Sequence, residues 1–177
     1  MNTRVIAFLT VCLALAAPAH AAKTFSEQVD AGERLRVDLQ TGGAIHIETW
    51  GDDQISFDAE FRGVDADDVE IAVRRTSRGV ELVSRWATDR ARRSSSGIVR
   101  IRVPERIDLD LNTTGGELKV HGVDGDIAAE TMGGAVELEG LRGTIDVTTK
   151  GGHIRLHSSE VSGRVETMGG HIGLEDI

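Results

Sequence analysis

Four Gly-Gly pairs set the frame of this chain. Gly115-Gly116, Gly133-Gly134, Gly151-Gly152 and Gly169-Gly170 stand 18 residues apart, and a threonine sits two positions before each pair, at Thr113, Thr131, Thr149 and Thr167. Between pairs the pattern is finer. Gly116 is followed by Leu118 and Val120, Gly125 by Ile127 and Ala129, Gly134 by Val136 and Leu138, and Gly143 by Ile145 and Val147. The unit is glycine, then an apolar residue two and four positions later. Such alternation is the period of a strand with one buried face. Glycine at each boundary admits positive φ or a close backbone approach. A fixed short period predicts an all-β chain folded as a single-stranded β-helix, or β-solenoid, with 18-residue coils. Spacing alone leaves the hand of the coil open.

The N-terminal half is less regular. Leu35, Val37 and Leu39 alternate; Thr41-Gly42-Gly43 is an early copy of the repeat, with Ile45 and Ile47 at its two apolar positions. Ile55, Phe57, Ala59 and Phe61 alternate again, as do Val69, Ile71 and Val73. Ala87 to Gly97 has no apolar period and reads as a loop. Ile98 to Val103 is a strand ended by Pro104, and the regular register starts near Ile107. One fault is expected in the repeat: a longer linker, Ser158 to Gly163, and a shorter strand, Arg164 to Thr167. The pattern stops at Ile177 halfway through a coil, which leaves that coil uncapped and able to self-associate through its open strand edges.

The first 21 residues read as a secretory signal. Arg4 is the basic start, Val5 to Ala17 the apolar stretch, and Ala19-His20-Ala21 the cleavage site. Cleavage after Ala21 leaves 22–177 as one domain, 22–106 irregular with a basic loop and 107–177 regular, in the periplasm or secreted. Cys12 lies inside the signal, so the remaining chain has no thiol for a disulfide, a nucleophile or a metal. Charge is unevenly placed: net −9 over 22–73, +7 over 74–106 and −8 over 107–177. The overall acidity excludes a dedicated nucleic-acid binder. Five aromatic side chains outside the signal, Phe25, Trp50, Phe57, Phe61 and Trp86, are few for stacking sugars or bases.

The order of these features carries a resemblance. An opening Phe25-Ser26-Glu27 is followed by Thr41-Gly42-Gly43, then Val99-Arg100-Ile101-Arg102-Val103-Pro104, then Leu109 to Gly116, then serial units with Thr-x-Gly-Gly. This is similar to the putative-adhesin family of bacterial exported proteins, a β-strand-repeat domain of unknown function, over about residues 24–177. The resemblance implies a right-handed, single-stranded β-helix-like fold. It supplies no catalytic motif and no functional residues.

Four local constellations remain. His153 and His171 hold equivalent repeat positions, with His157 on the same outward face, which is a pattern for copper or zinc; the competing reading is a solvated histidine ladder. Asp124-Gly125-Asp126 and Asp52-Asp53 fit acidic turns better than calcium loops, because the position of Asp126 is Glu117, Ala135, Thr144 and His153 elsewhere in the repeat. Glu130, Glu137, Glu139 and Asp146 sit on repeat strands as ordinary outward residues. Arg90, Arg92 and Arg93 lie in the basic loop, where they could contact an anionic partner. The sequence therefore points to an exported, non-enzymatic, adhesin-like β-repeat protein that binds or scaffolds at the cell envelope. It implies no catalytic residues, resident metal or cofactor. The expected partner is an envelope polymer, a lipid headgroup or a protein. The alternatives are a carbohydrate-active β-helix enzyme and a module that self-associates through its open coil end.

Overall fold

The computed structural model describes residues 21–30, 32–63, 65–88 and 95–177. The expected signal up to His20 and the loop residues Arg90, Arg92 and Arg93 lie outside them. Over the described residues the chain is all-β. The strands are β1 (Ala21–Gln28), β2 (Arg34–Leu39), β3 (Ala44–Trp50), β4 (Gln54–Gly63), β5 (Val69–Thr76), β6 (Gly79–Trp86) and β7 (Ser95–Pro104), followed by β8 (Asp108–Thr113), β9 (Leu118–His121), β10 (Asp124–Thr131), β11 (Val136–Glu139), β12 (Arg142–Thr149), β13 (Ile154–His157), β14 (Glu160–Thr167) and β15 (Ile172–Glu175).

The expected single-stranded β-helix is not what these strands build. They form two mixed sheets: one of eight strands, in the order β1-β4-β7-β3-β9-β11-β13-β15, and one of seven, β14-β12-β10-β8-β2-β6-β5. The pairs β1–β4, β4–β7 and β5–β6 are antiparallel and the others parallel. The departure comes from β4 to β7. This stretch leaves the 18-residue register and folds back, so that β7 pairs with β3 and β6 with β2. Alternation specifies a strand and its buried face; it does not specify the strand's neighbour or direction.

The 18-residue spacing survives as strand register. Ile127 pairs with Ile145, and Val136 with Ile154. The early copy aligns likewise, with Leu35 beside Leu109 and Ile45 beside Leu118. Inward residues of both sheets share one apolar core, in which Leu118, Ile154 and Leu138 are fully buried. Each such side chain contributes roughly 2 kcal/mol relative to exposure. Strand β14 is not the short strand expected after a long linker: it has eight residues, like β10 and β12. Ser158 takes positive φ where earlier coils have Gly122 and Gly140. Ser159 Oγ accepts from the Leu141 amide at 3.0 Å and donates to the His157 carbonyl at 2.8 Å.

The two sheets are tied at one end by side chains. Lys23 Nζ of β1 donates to the Val69 carbonyl of β5 at 3.2 Å. Arg75 of β5 donates to the Gln28 carbonyl and, at 2.7 and 2.8 Å, to Glu33. At the other end β15 exposes Ile172 and Leu174.

Candidate functional site

Period-two alternation turns every second side chain of the eight-stranded sheet toward solvent, and the register lines these up in rows across the strands. One row runs Arg100, His46, Lys119, Glu137, Arg155; the next runs Arg102, Glu48, His121, Glu139, His157, Glu175. His46 Nε2 lies 3.1 Å from Glu117 Oε2. Lys119 Nζ bridges Glu137 at 3.1 Å and Glu117 at 3.2 Å. The hydrogen bond from Lys119 holds the Glu137 carboxyl below the usual carboxylate range, and the bonds to Glu137 and then Glu117 raise the Lys119 ammonium. Glu139 Oε2 stands between His121 Nε2 at 3.8 Å and His157 Nε2 at 3.9 Å. At the edge of this face Arg102 lies over the Trp50 ring, 4.8 Å from its centroid.

The outward face of the seven-stranded sheet is different. Asp110, Ala128 and Asp146 form one row on β8, β10 and β12. The small Ala128 leaves two adjoining depressions of about 320 and 350 Å³, flanked by Asp110 and Asp146. Asp126 accepts from Thr144 Oγ1 at 2.6 Å, and its amide donates to Asp108 Oδ1 at 3.0 Å. A further depression of about 470 Å³ lies between Lys23 and the β5–β6 pair, beside Arg74, Glu70 and Arg85.

The residues singled out by sequence divide as follows. His153 and His171 do stack, with centroids 5.3 Å apart and planes 4° from parallel. The His171 amide donates to His153 Nδ1 at 3.0 Å. That bond spends the Nδ1 lone pair and puts the ring proton on Nε2, so His153 has no free lone pair for copper or zinc. Among the described residues no group of three or more histidine, aspartate, glutamate or cysteine side chains is placed to hold a metal ion. Asp124 and Asp53 serve the backbone: their carbonyls accept from the Ile107 and Val29 amides. Glu137 and Glu139 lie on one sheet, Glu130 and Asp146 on the other, so the four acids do not form one cluster.

The basic stretch from Arg74 to Arg106 is likewise dispersed. Arg74 pairs with Glu81 at 2.5 Å and Arg85 with Glu70 at 2.9 Å on the seven-stranded sheet. Arg100 lies 3.6 Å from Glu60 on the eight-stranded sheet. Arg90, Arg92 and Arg93 fall outside the described residues. What sequence reasoning missed is that His46, His121 and His157, on β3, β9 and β13, share one sheet face. The alternation marks each as outward, but only strand order assigns them to the same side.

No known protein-family profile and no curated protein matches this sequence. Solved structures do match. A putative cell adhesion protein from Clostridium sporogenes ATCC 15579 superposes with a TM-score of 0.55 at 8% identity, covering 90% of this chain and 100% of that one. A putative adhesin from Bacteroides fragilis NCTC 9343 gives a TM-score of 0.39 at 12% identity, over 88% and 97% of the two chains. A putative adhesin from Parabacteroides distasonis ATCC 8503 gives 0.30 at 9%, over 88% and 97%. The fold is shared with the Clostridium protein.

Proposed function

We propose that this chain is an exported, non-enzymatic, adhesin-like protein that binds or scaffolds at the cell envelope. The observation that carries this reading is how its polar chemistry is distributed. Charged side chains are laid out as rows over two sheet faces, and the acids of the repeat strands are split between opposite faces. Such rows suit contact with an extended partner (an envelope polymer, an array of lipid headgroups or a protein) better than they suit bond cleavage in a cleft. The likeness to a fold named for cell adhesion agrees with this.

The test is fractionation of bacteria expressing the full chain, with mass measurement of the product and a binding isotherm on isolated envelope. The expected product begins at Ala22, lies in the periplasm or medium, and is retained saturably on envelope fractions. An intact product confined to the cytoplasm, or retention that does not saturate, overturns the reading.

A second reading, self-association through the edge strands β14 and β15, has its own observation. Ile172, Leu174, Met168 and Ile177 are all exposed at that end. Arg164 and Glu166 alternate along β14, so a second copy laid antiparallel beside it places each opposite its complement. Light scattering should then show a concentration-dependent dimer that Leu174→Lys abolishes. A monomer at every concentration removes this reading.

A further inference from the structure

Asn112 is the only asparagine after Asn2, and it stands in the run Asp110-Leu111-Asn112-Thr113-Thr114. Asn-x-Thr with no proline at x is the acceptor pattern for an asparagine-linked glycan. The repeat calls for neither end of that pattern. In register with Asn112 are Asp38 on one side and Glu130 on the other, with Thr148 and Glu166 farther along the row. At the positions equivalent to Thr114 stand Met132, Lys150 and Met168. Only Thr113 belongs to the corner, where its buried hydroxyl donates to the Gly43 and Gly115 carbonyls.

The fold brings the other three side chains of this run to one surface. Residues two apart on a strand share a face. On β8, Asp110 and Asn112 point outward, while Leu109, Leu111 and Thr113 are buried. Thr114 follows at the corner, exposed, with its hydroxyl 3.4 Å from the Gln40 carbonyl. Asn112 is exposed as well, and among the described residues its carboxamide has no hydrogen-bond partner. It borders the depression of about 320 Å³ over Ala128, whose polar rim includes Glu130, Asp146 and Thr148.

We propose that Asn112 is a glycosylation site, which accepts an oligosaccharide from a polyprenyl-pyrophosphate donor through an oligosaccharyltransferase on the outer side of the membrane. This rests on the export part of the reading above and goes beyond it. The Asn112 Nδ2 attacks the anomeric carbon of the first sugar. A C–N glycosidic bond forms, the C–O bond to the pyrophosphate breaks, the polyprenyl pyrophosphate leaves, and the Nδ2 proton passes to a carboxylate of the transferase. The Thr114 hydroxyl is the group by which the transferase holds the acceptor, and Asp110 offers it a carboxylate.

Topology sets the order of events. Strand β8 is paired on both sides, with β10 and β2, so its backbone cannot enter a transferase once the sheet has formed. Transfer takes place on the exported chain before the sheet closes, when Asp110 is also free of Arg36, which lies 3.7 Å away in the folded chain. The folded sheet then has room for the product. A glycan is bulky and polar and belongs on a surface, and Asn112 gives up no interior contact to carry one. The first sugar lies over the Ala128 methyl group, where its hydroxyls can donate to Glu130 and Asp146.

The test is co-expression of the full chain with a bacterial oligosaccharyltransferase and its lipid-linked oligosaccharide, in cells where a known acceptor protein shows that the transferase is active. The intact mass of the exported product should rise by one glycan, and peptide analysis should place it on Asn112. Asn112→Gln and Thr114→Val, both at exposed positions, should each remove the added mass. Thr114→Ser should keep it, and Asp110→Asn should lower the modified fraction severalfold. The glycosylated chain should keep the urea midpoint of the bare chain. The proposal is overturned by an exported product with no added mass, by an Asn112→Gln chain that still gains it, or by a glycosylated chain that fails to fold. A chain that stays in the cytoplasm sinks the export reading instead. Placed behind an established secretion signal, the same chain still decides the question at Asn112.

Discussion

At the scale of single residues, the repeat threonines show what one hydroxyl contributes at a corner. Thr131 Oγ1 donates to the Gly133 carbonyl at 2.9 Å and accepts from the Gly133 amide at 3.2 Å. Thr113 makes the same local pair with Gly115 and also reaches the Gly43 carbonyl at 3.0 Å. Thr149 is equally buried, but its Oγ1 has no hydrogen-bond partner. Thr131→Val should therefore cost about 1–2 kcal/mol in urea denaturation, whereas Thr149→Val should be neutral or stabilising by up to about 1 kcal/mol. Equal losses at the two sites would contradict this account of the corner. Glycine at position 134 is required for a different reason: φ is +112°, and a Cβ there would lie 2.2 Å from the Gly116 carbonyl oxygen of the preceding coil. Gly134→Ala should cost at least about 2 kcal/mol, read the same way. Both features are visible in the sequence as Thr-x-Gly-Gly, but the idle hydroxyl at Thr149 is not, because it depends on how neighbouring corners meet.

At the scale of strands, position in the stack outweighs chemistry. Val120, Leu138, Leu156 and Leu174 form one inward column on β9, β11, β13 and β15. Leu138 is fully buried, while Leu174 is 57% exposed. Leu138→Ala should cost about 2–5 kcal/mol and Leu174→Ala less than about 1 kcal/mol in the same equilibrium unfolding experiment. Comparable costs would mean that the last strand is covered in solution. In the next coil connection, Ser158 and Ser159 replace the glycine-aliphatic pair of earlier coils at no cost in strand length. The preceding connection has a glycine at the turn, Gly140, and an aliphatic beneath it, Leu141. A serine hydroxyl bonded on both sides fills the second role.

At the scale of the molecule, ion pairs on the outward face of the eight-stranded sheet tie stability to pH. On the eight-stranded sheet, the hydrogen bond from Lys119 lowers the Glu137 carboxyl, and on the same sheet the hydrogen bond from Arg62 lowers Glu60. Folded values below the unfolded ones mean that this stabilisation is present at neutral pH and lost as pH falls through the folded values, below about pH 4.5. Both groups are solvent-screened, so the effect is modest. Urea midpoints should fall on the acid side of that point, and Lys119→Met should make the fall shallower. An unchanged acid slope in that variant would remove the pairing as its source.

The sequence by itself determined the strands, the corners and which side chains point inward. Those are local properties: a period of two residues within each strand, a positive φ that only glycine accepts readily, and an apolar residue two and four positions after each repeat glycine. The rows of His46, His121 and His157 were half legible in this way, since parity alone puts each on the outside. Tertiary structure decided the rest. Nothing local tells β6 to lie beside β2 or β7 beside β3, because those pairings are set by the folding back of β4 to β7 and by the shared core that rewards it. That choice turned an expected single-stranded coil into two mixed sheets. It also placed His46, His121 and His157 on the outward face of one sheet.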